Sequence, residues 1–365
     1  MIGCEFATIF SGFGQTRVEL LNERKPRLLP SEDEDLSSLI ERNLTRLGVT
    51  IHNGGELRDL DVAQDGALVD AYVETDGVMR KITVEKVLFS IGRIPNTDGV
   101  GLEEVGCTLT KRGGVRVEAN SGRSVDCPSV FAAGDATVEI GLVNVAEMEA
   151  RHAVECMFSE GKDKDACMPL QYDNVSSIMF LIPEVASIGI NEQEARRQRI
   201  PHLVAKVGLD VVNRSLVNLH GSRNITEKLS PTRCGYVKMI TTNCPRRTLL
   251  GMRFIGEDAG AIIQAGAIII GKGLGVDTFE MLHAHPSVTE GVHECARMIQ
   301  GFKANELCTR SIYKPGVNKT CHVHQWLPPA GEEGAGGTDA MSEGEREVQS
   351  PVPSYGINET DSHPQ

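Results

Sequence analysis

Aromatic side chains make up only 4% of the 365 residues, with a single tryptophan, so flat rings cannot be what fills the interior. An apolar fraction of 40% with 38 glycines leaves that task to closely packed Ala, Val, Ile, Leu and Met, which suits layered α/β domains. Long hydrophobic runs are missing as well. The longest, Ala259 to Gly271, is interrupted by Gln264 and falls short of the roughly 18 residues a spanning helix needs, so no membrane role is expected. Positive charge is in deficit, 37 Lys and Arg against 50 Asp and Glu, and the net −13 repels phosphate backbones and anionic lipid. Nucleic acid is not an expected partner. The ten cysteines (4, 107, 127, 156, 167, 234, 244, 295, 308 and 321) show no C-x-x-C and no secreted-domain spacing, and they read as reduced and intracellular. Met1-Ile2-Gly3-Cys4-Glu5 has no basic segment ahead of an apolar one, so it does not read as a signal peptide; cytosol, mitochondrion and plastid are not distinguished.

At about 150 residues per domain the length allows two to three domains. Ile2, Phe6, Ile9 and Phe13 predict a helix over 2–13 stopped by Gly14, followed by a strand over 17–21, a helix over 36–47 ending at Gly48 and a strand over 49–52. Two helix–strand steps imply a parallel sheet. Alternation over 68–74 and 79–84 around Asp76-Gly77 predicts a hairpin, and the apolar runs 86–92 and 125–133 predict two buried strands. Residues 144–158 fit a helix. From Tyr172 the texture changes: strands over 176–181, 185–188, 236–241 and 249–254 precede helices over 257–272 and 276–282, which suggests a separate α+β domain beginning near Gly161 to Pro169. The acidic, Gly/Pro/Ser-rich end beyond Pro328 is too poor in aliphatic residues to order itself and reads as a disordered tail.

Three short stretches carry candidate chemistry. Gly3 at a helix start, with Asn22-Glu23 at the end of the next strand, matches the latter part of a dinucleotide-binding βαβ unit, whose first two glycines are not in the sequence. A packing glycine is the alternative. Ala133-Gly134-Asp135 delivers a carboxylate from the end of an apolar strand, where sugar hydroxyls could supply its donors or where it could simply cap the next helix. In His283-Ala284-His285-Pro286-Ser287-Val288-Thr289-Glu290, Pro286 at a first helical position would put His285 at a helix mouth with Glu290 one turn on, the pairing of a general base with the carboxylate that orients it. A capping box of Ser287 with Glu290 beside an idle histidine is the plain alternative. His322 and His324 beside Cys321 form a single cluster and read as tail residues rather than metal ligands.

Order and spacing of these stretches resemble the flavin-dependent pyridine nucleotide–disulphide oxidoreductases. The resembling text is Gly3 to Ala7, Arg27-Leu28-Leu29-Pro30, Ile91 to Thr97, Ala133-Gly134-Asp135, Ile182 to Gly189 and His285-Pro286 to Glu290. The resemblance implies a Rossmann-like NAD-binding domain lacking its first strand (1–100), the C-terminal segment of an FAD-binding domain (101–168), an α+β dimerisation domain (169–304) and the tail (305–365). It places Ile2, Gly3, Cys4 and Glu5 against NAD pyrophosphate and nicotinamide, Asn22 or Glu23 against the adenine ribose, and Leu57, Gly92 and Arg93 beside the nucleotide. Asp135, after Gly134, would bind the FAD ribityl chain, and Gly141, Leu142, Val143 and Asn144 would meet the flavin at a helix start. His285 of one subunit of a homodimer would exchange a proton with the redox dithiol of the other, oriented by Glu290.

A histidine at 285 and the lack of adjacent cysteines favour a disulphide reductase within the family, and the resemblance is best to the dihydrolipoamide dehydrogenase type, acting on a small-molecule or protein-bound dithiol. Transhydrogenase-like and glutathione reductase-like flavoproteins, and a non-catalytic dimerisation partner of a longer paralogue, are the other readings. Asn22-Glu23-Arg24-Lys25 leans to NAD without excluding NADP. The family's flavin-proximal C-x-x-x-x-C pair and the lysine that partners the position of Glu5 have no counterpart in these 365 residues. The chain read this way is a fragment expected to bind no stoichiometric flavin and to lack lipoamide reductase activity, which flavin absorbance of the purified protein checks.

Overall fold

The computed structural model describes residues 1–63, 65–118, 121–137, 140–159, 170–218, 235–281, 283–301 and 321–328. The described residues divide into two compact units, one within 1–90 and 176–328, the other within 91–175.

In the first unit, helix α1 (Ile2–Gly12) leads to strand β1 (Glu19–Asn22), and helix α2 (Glu34–Arg46) leads to β2 (Thr50–Asn53). The two strands pair in parallel, Glu19 opposite Thr50 through Asn22 opposite Asn53. Leu36, Leu39, Ile40 and Leu44 of α2 share one buried face at helical spacing, and Glu34, Asp35 and Arg46 carry the charges the helix dipole favours at each end. α1 departs from expectation. It buries Cys4, Ala7 and Thr8, while Phe6, Ile9 and Phe13 are exposed, because among the described residues nothing covers that side.

Strands β3 (Glu56–Val62), β4 (Val69–Thr75) and β5 (Val78–Val84) form an antiparallel meander. Asp76 and Gly77 both take positive φ, 52° and 75°, the turn that matches strand twist in a two-residue hairpin. The run 86–92 is not a strand. Val87, Leu88 and Phe89 are exposed, and among the described residues no strand pairs with the run, the β1–β2 sheet stopping at two strands.

The larger sheet contains β6 (Ser176–Met179), β7 (Val185–Gly189), β8 (His202–Gly208), β9 (Tyr236–Thr242), β10 (Leu249–Ile255) and β11 (His322–Trp326), in the spatial order β11-β8-β9-β10-β7-β6 with every pairing antiparallel. Short helices α4 (Glu192–Arg197) and α5 (Asn213–Asn218) flank β8, and α6 (Ala259–Gly271) and α7 (Glu290–Gln300) pack on the sheet. Phe254, Met252, Met239, Leu203, Ile263, Ile269, Val292 and Ile299 lie in the core between them.

Three expectations change here. Residues 276–282 were expected as a helix and form a 3₁₀ turn, Val276–Glu280. Pro286 does not start a helix: it follows a cis peptide bond, and α7 begins at Glu290. His322 and His324 lie in β11 rather than in a tail, because β8 presents an edge on which 322–326 pairs. The remainder of the expected tail, 305–320 and 329–365, lies outside the described residues.

The second unit is mostly irregular. Residues 125–133 do not form a buried strand: Val125 is exposed, and within the segment Phe131 makes an isolated bridge to Arg123 in place of a ladder. Helix α3 (Val143–Phe158) is its one long element among the described residues. Cys156 near its end is disulfide-bonded, which corrects the reading of all ten cysteines as reduced.

Candidate functional site

The start of α1 is built on Met1, whose carbonyl accepts from the N–H groups of Cys4 at 2.9 Å and Glu5 at 3.3 Å. A Cβ placed on Gly3 would lie 2.8 Å from Ser90 Oγ, so the helix passes residue 90 at a distance that only glycine accommodates without displacing it. Close helix–strand approach is what the third glycine of a dinucleotide fingerprint provides. Cys4 is buried, which pushes its thiol up and leaves it inert. Glu5 Oε1 accepts from Phe180 N at 3.0 Å.

At the far end of β1, Asn22 Nδ2 donates to Asn53 Oδ1 at 2.8 Å and to Lys25 O at 3.2 Å. Gly54 N donates to Asn22 O at 3.1 Å and Arg24 N to Gly55 O at 3.0 Å, so the loops after β1 and β2 clasp each other. That clasp puts exposed Glu23 near the start of β3, where Leu57 lies and where Arg24 meets Glu56 at 2.6 Å. A glycine-lined helix start with an amide and a carboxylate at the strand end fits the phosphate and ribose parts of NAD.

The second unit holds Gly92, Arg93, Gly134, Asp135 and 141–144. Gly134 has φ +66°, and a Cβ there would come within 2.6 Å of Ala146 Cβ, so this turn lies directly on the first turns of α3. Gly134 N donates to Glu149 Oε2 at 2.6 Å, Tyr172 Oη donates to Glu149 Oε1 at 2.9 Å, and Thr137 Oγ1 donates to Gly134 O at 2.8 Å. The exposed Asp135 carboxylate lies 3.6 Å from Arg93 Nε. A Cβ on Gly141 would stand 3.6 Å from Asp135 Oδ1, which brings Gly141 beside the carboxylate. Leu142 is the N-cap of α3 without a side-chain cap, and Val143 and Asn144 open the helix with exposed side chains. A carboxylate for hydroxyl groups beside an uncapped helix start, whose N–H groups stabilise negative charge, fits the ribityl chain and ring edge of a flavin. Gly92 has φ +132° and open space where a Cβ would be.

His285 and Glu290 meet in the first unit. His285 Nδ1 lies 3.2 Å from Glu290 Oε1, with side-chain exposures of 69% and 19%. The same oxygen accepts from Ser287 N at 2.6 Å, and Thr289 N donates to Ser287 Oγ at 3.2 Å, so the carboxylate is held by its own loop. A ring whose Nδ1–H is fixed on a carboxylate keeps Nε2 open for proton exchange. His283 stacks on His293 with centroids 3.9 Å apart; burial first, then the neighbouring His283, holds His293 below the usual imidazole range.

Sequence reasoning passed over Ser90, Glu149 and Tyr172. Glu149 had a visible signal: it shares the buried face of α3 with Val145, His152, Ala153 and Cys156. A lone carboxylate on such a face needs a donor. Ser90 and Tyr172 carry no local signal, since their partners lie far along the chain.

The pyridine nucleotide-disulphide oxidoreductase family matches residues 1–150, and the dimerisation domain of that family matches residues 175–296. The dihydrolipoyl dehydrogenase of Bacillus subtilis is 30% identical over 302 residues, 82% of this chain and 59% of that protein. The dihydrolipoamide dehydrogenase of Chaetomium thermophilum is 30% identical over 299 residues, 81% of this chain and 55% of that protein. The chain thus spans less than two thirds of the length of these relatives. Among solved structures, a mutant of the flavoprotein disulfide reductase RclA of Escherichia coli in its Cu(II) complex superposes with a TM-score of 0.70 at 23% identity, over 82% of this chain and 62% of that one, which shows a shared fold. From helix α1 through the His285–Glu290 pair, the chain belongs to the pyridine nucleotide–disulphide oxidoreductase family.

Proposed function

We propose that this chain supplies the nucleotide-binding and proton-transferring parts of a flavin-dependent disulphide oxidoreductase of the dihydrolipoyl dehydrogenase kind, working between a dithiol and NAD as a homodimer. The observation that carries this reading is the His285–Glu290 pair, 3.2 Å apart with an exposed ring, on a segment matched by a dimerisation domain. Glu290 fixes the imidazole through Nδ1, and Nε2 takes a proton from a thiol and returns it on the reverse step. Ile2, Gly3, Cys4 and Glu5 at the α1 start, with Asn22, Glu23 and Leu57 beyond it, would hold NAD. Gly134, Asp135, Gly141, Leu142, Val143 and Asn144 would hold FAD, which when bound passes electrons between dithiol and nicotinamide. NADP in place of NAD is the finer alternative, because Arg24 and Lys25 adjoin Glu23.

No two of the ten cysteines are five positions apart, so the sulphur pair that His285 serves is not among them. The test therefore joins the flavin-proximal segment of the Bacillus subtilis relative ahead of Met1 and compares His285 with His285→Gln. A fall of roughly 100-fold or more in dihydrolipoamide-dependent NAD reduction, at equal flavin content and with transhydrogenation between nicotinamides retained, supports the reading. Equal dithiol activity in both proteins refutes it and favours the transhydrogenase-like alternative.

A further inference from the structure

Two cysteines outside this chemistry share Ser124 as a neighbour in the second unit. Residues 108–126 separate Cys107 from Cys127 in sequence, yet Ser124 joins them: its Oγ lies 3.7 Å from Cys107 Sγ and accepts from Cys127 N at 3.2 Å. Ser129 Oγ lies 3.4 Å from Cys127 Sγ, and both cysteines are free thiols. Their backbones are fixed, Cys107 N on Leu102 O at 2.9 Å and Cys127 O on Val130 N at 3.0 Å. Cys107 is 3% exposed and Cys127 9%, so only a small reagent reaches them. The Cys127 thiol is lowered from its ordinary value, first by its hydrogen bond to the Ser129 side chain, against burial, and further by the Cys107 thiol. A larger thiolate fraction makes it the more reactive of the two.

We propose that Cys107 and Cys127 form a second redox site, a dithiol that hydrogen peroxide converts to a disulfide. The Cys127 thiolate attacks one peroxide oxygen; an S–O bond forms, the O–O bond breaks, and hydroxide leaves and is protonated to water, giving a sulfenic acid. The Cys107 sulphur then attacks the sulfenic sulphur; an S–S bond forms, the S–O bond breaks, and a second water leaves. Two thiols and one peroxide give one disulfide and two waters, with two electrons passing from sulphur to peroxide. A resolving thiol held on the same Ser124 makes disulfide closure faster than further oxidation of the sulfenic acid.

The experiment uses the whole 365-residue chain, reduced, freed of reductant, exposed to hydrogen peroxide, alkylated and digested with trypsin without reduction. The expected product joins the peptides 94–111 and 124–151, which carry Cys107 and Cys127 as their only cysteines, and dithiothreitol separates them. In Cys107→Ser the link is lost and dimedone labels Cys127; in Cys127→Ser, Cys107 stays unlabelled. Recovery of both peptides alkylated and unlinked overturns the proposal. So does a link that forms equally fast in urea, since folding would then not be what pairs the sulphurs, and so does dimedone label on Cys107 in place of Cys127.

Discussion

At Gly134 a single methyl group separates two outcomes. The residue sits at φ +66° with Ala146 Cβ 2.6 Å from where its own Cβ would be, so Gly134→Ala pays a backbone cost and drives the turn away from α3 together. The expected loss is on the order of 2–4 kcal/mol, read as a fall in the denaturant midpoint. Gly273 is the control: its φ is +58° but nothing lies near its Cβ position, so Gly273→Ala should cost only the backbone part, about 1–2 kcal/mol. Equal losses at both sites would mean that the contact with α3 contributes nothing.

Among the elements, α2 is fixed to the large sheet by charge as well as by its apolar face. Lys238 Nζ on β9 lies 2.8 Å from Asp33, 3.3 Å from Asp35 and 3.0 Å from Glu192, and Lys206 on β8 lies 2.7 Å from Asp35. Lys238 and Asp33 are each 4% exposed at the side chain, so removing one partner strands a buried charge. Lys238→Met should therefore cost about 3–5 kcal/mol, and Asp33→Asn in the same protein should recover part of it. Burial alone would raise the Asp35 carboxyl, but Lys238 and Lys206 outweigh it and hold it below the usual range; Glu192 is lowered likewise, against burial, by His324 and Lys238. Depressed folded values contribute stability that is present above the unfolded carboxylate pKa of about 4 and lost as pH falls through the folded values. Thermal denaturation midpoints should drop below about pH 4, and less steeply in Lys238→Met; parallel curves would contradict this assignment. At the sheet edge, Trp326 of β11 stacks on His202 of β8 with centroids 5.3 Å apart, so Trp326→Ala should speed amide exchange in β8 while β10 stays protected. Unchanged exchange in β8 would show that the strand is held without that ring. What was legible in the sequence at this scale is what is local. The apolar period of α2 and the Asp76-Gly77 turn announce themselves within a dozen residues. β11 depends on an edge more than a hundred residues upstream, β8 has no alternation because Leu203, Val204 and Ala205 are all buried, and the run 86–92 has strand composition without a partner.

For the whole molecule, glycines at forced turns and a histidine–carboxylate pair at fixed spacing are sequence features and so could be proposed as a site from the sequence, whereas the approach of Gly3 to Ser90 and the bond of Glu149 with Tyr172 are made only by folding. The functional reading requires that His285 of one copy complete the dithiol site of another. Hybrid dimers test that requirement most directly: one subunit of the joined protein carries His285→Gln, and the other carries serines at its flavin-proximal cysteines. Each homodimer is expected to be inactive, and the hybrid to regain about half the wild-type rate, since two-fold symmetry leaves one complete site. A hybrid as inactive as its parents would show that His285 does not act across the dimer, and would contradict the account.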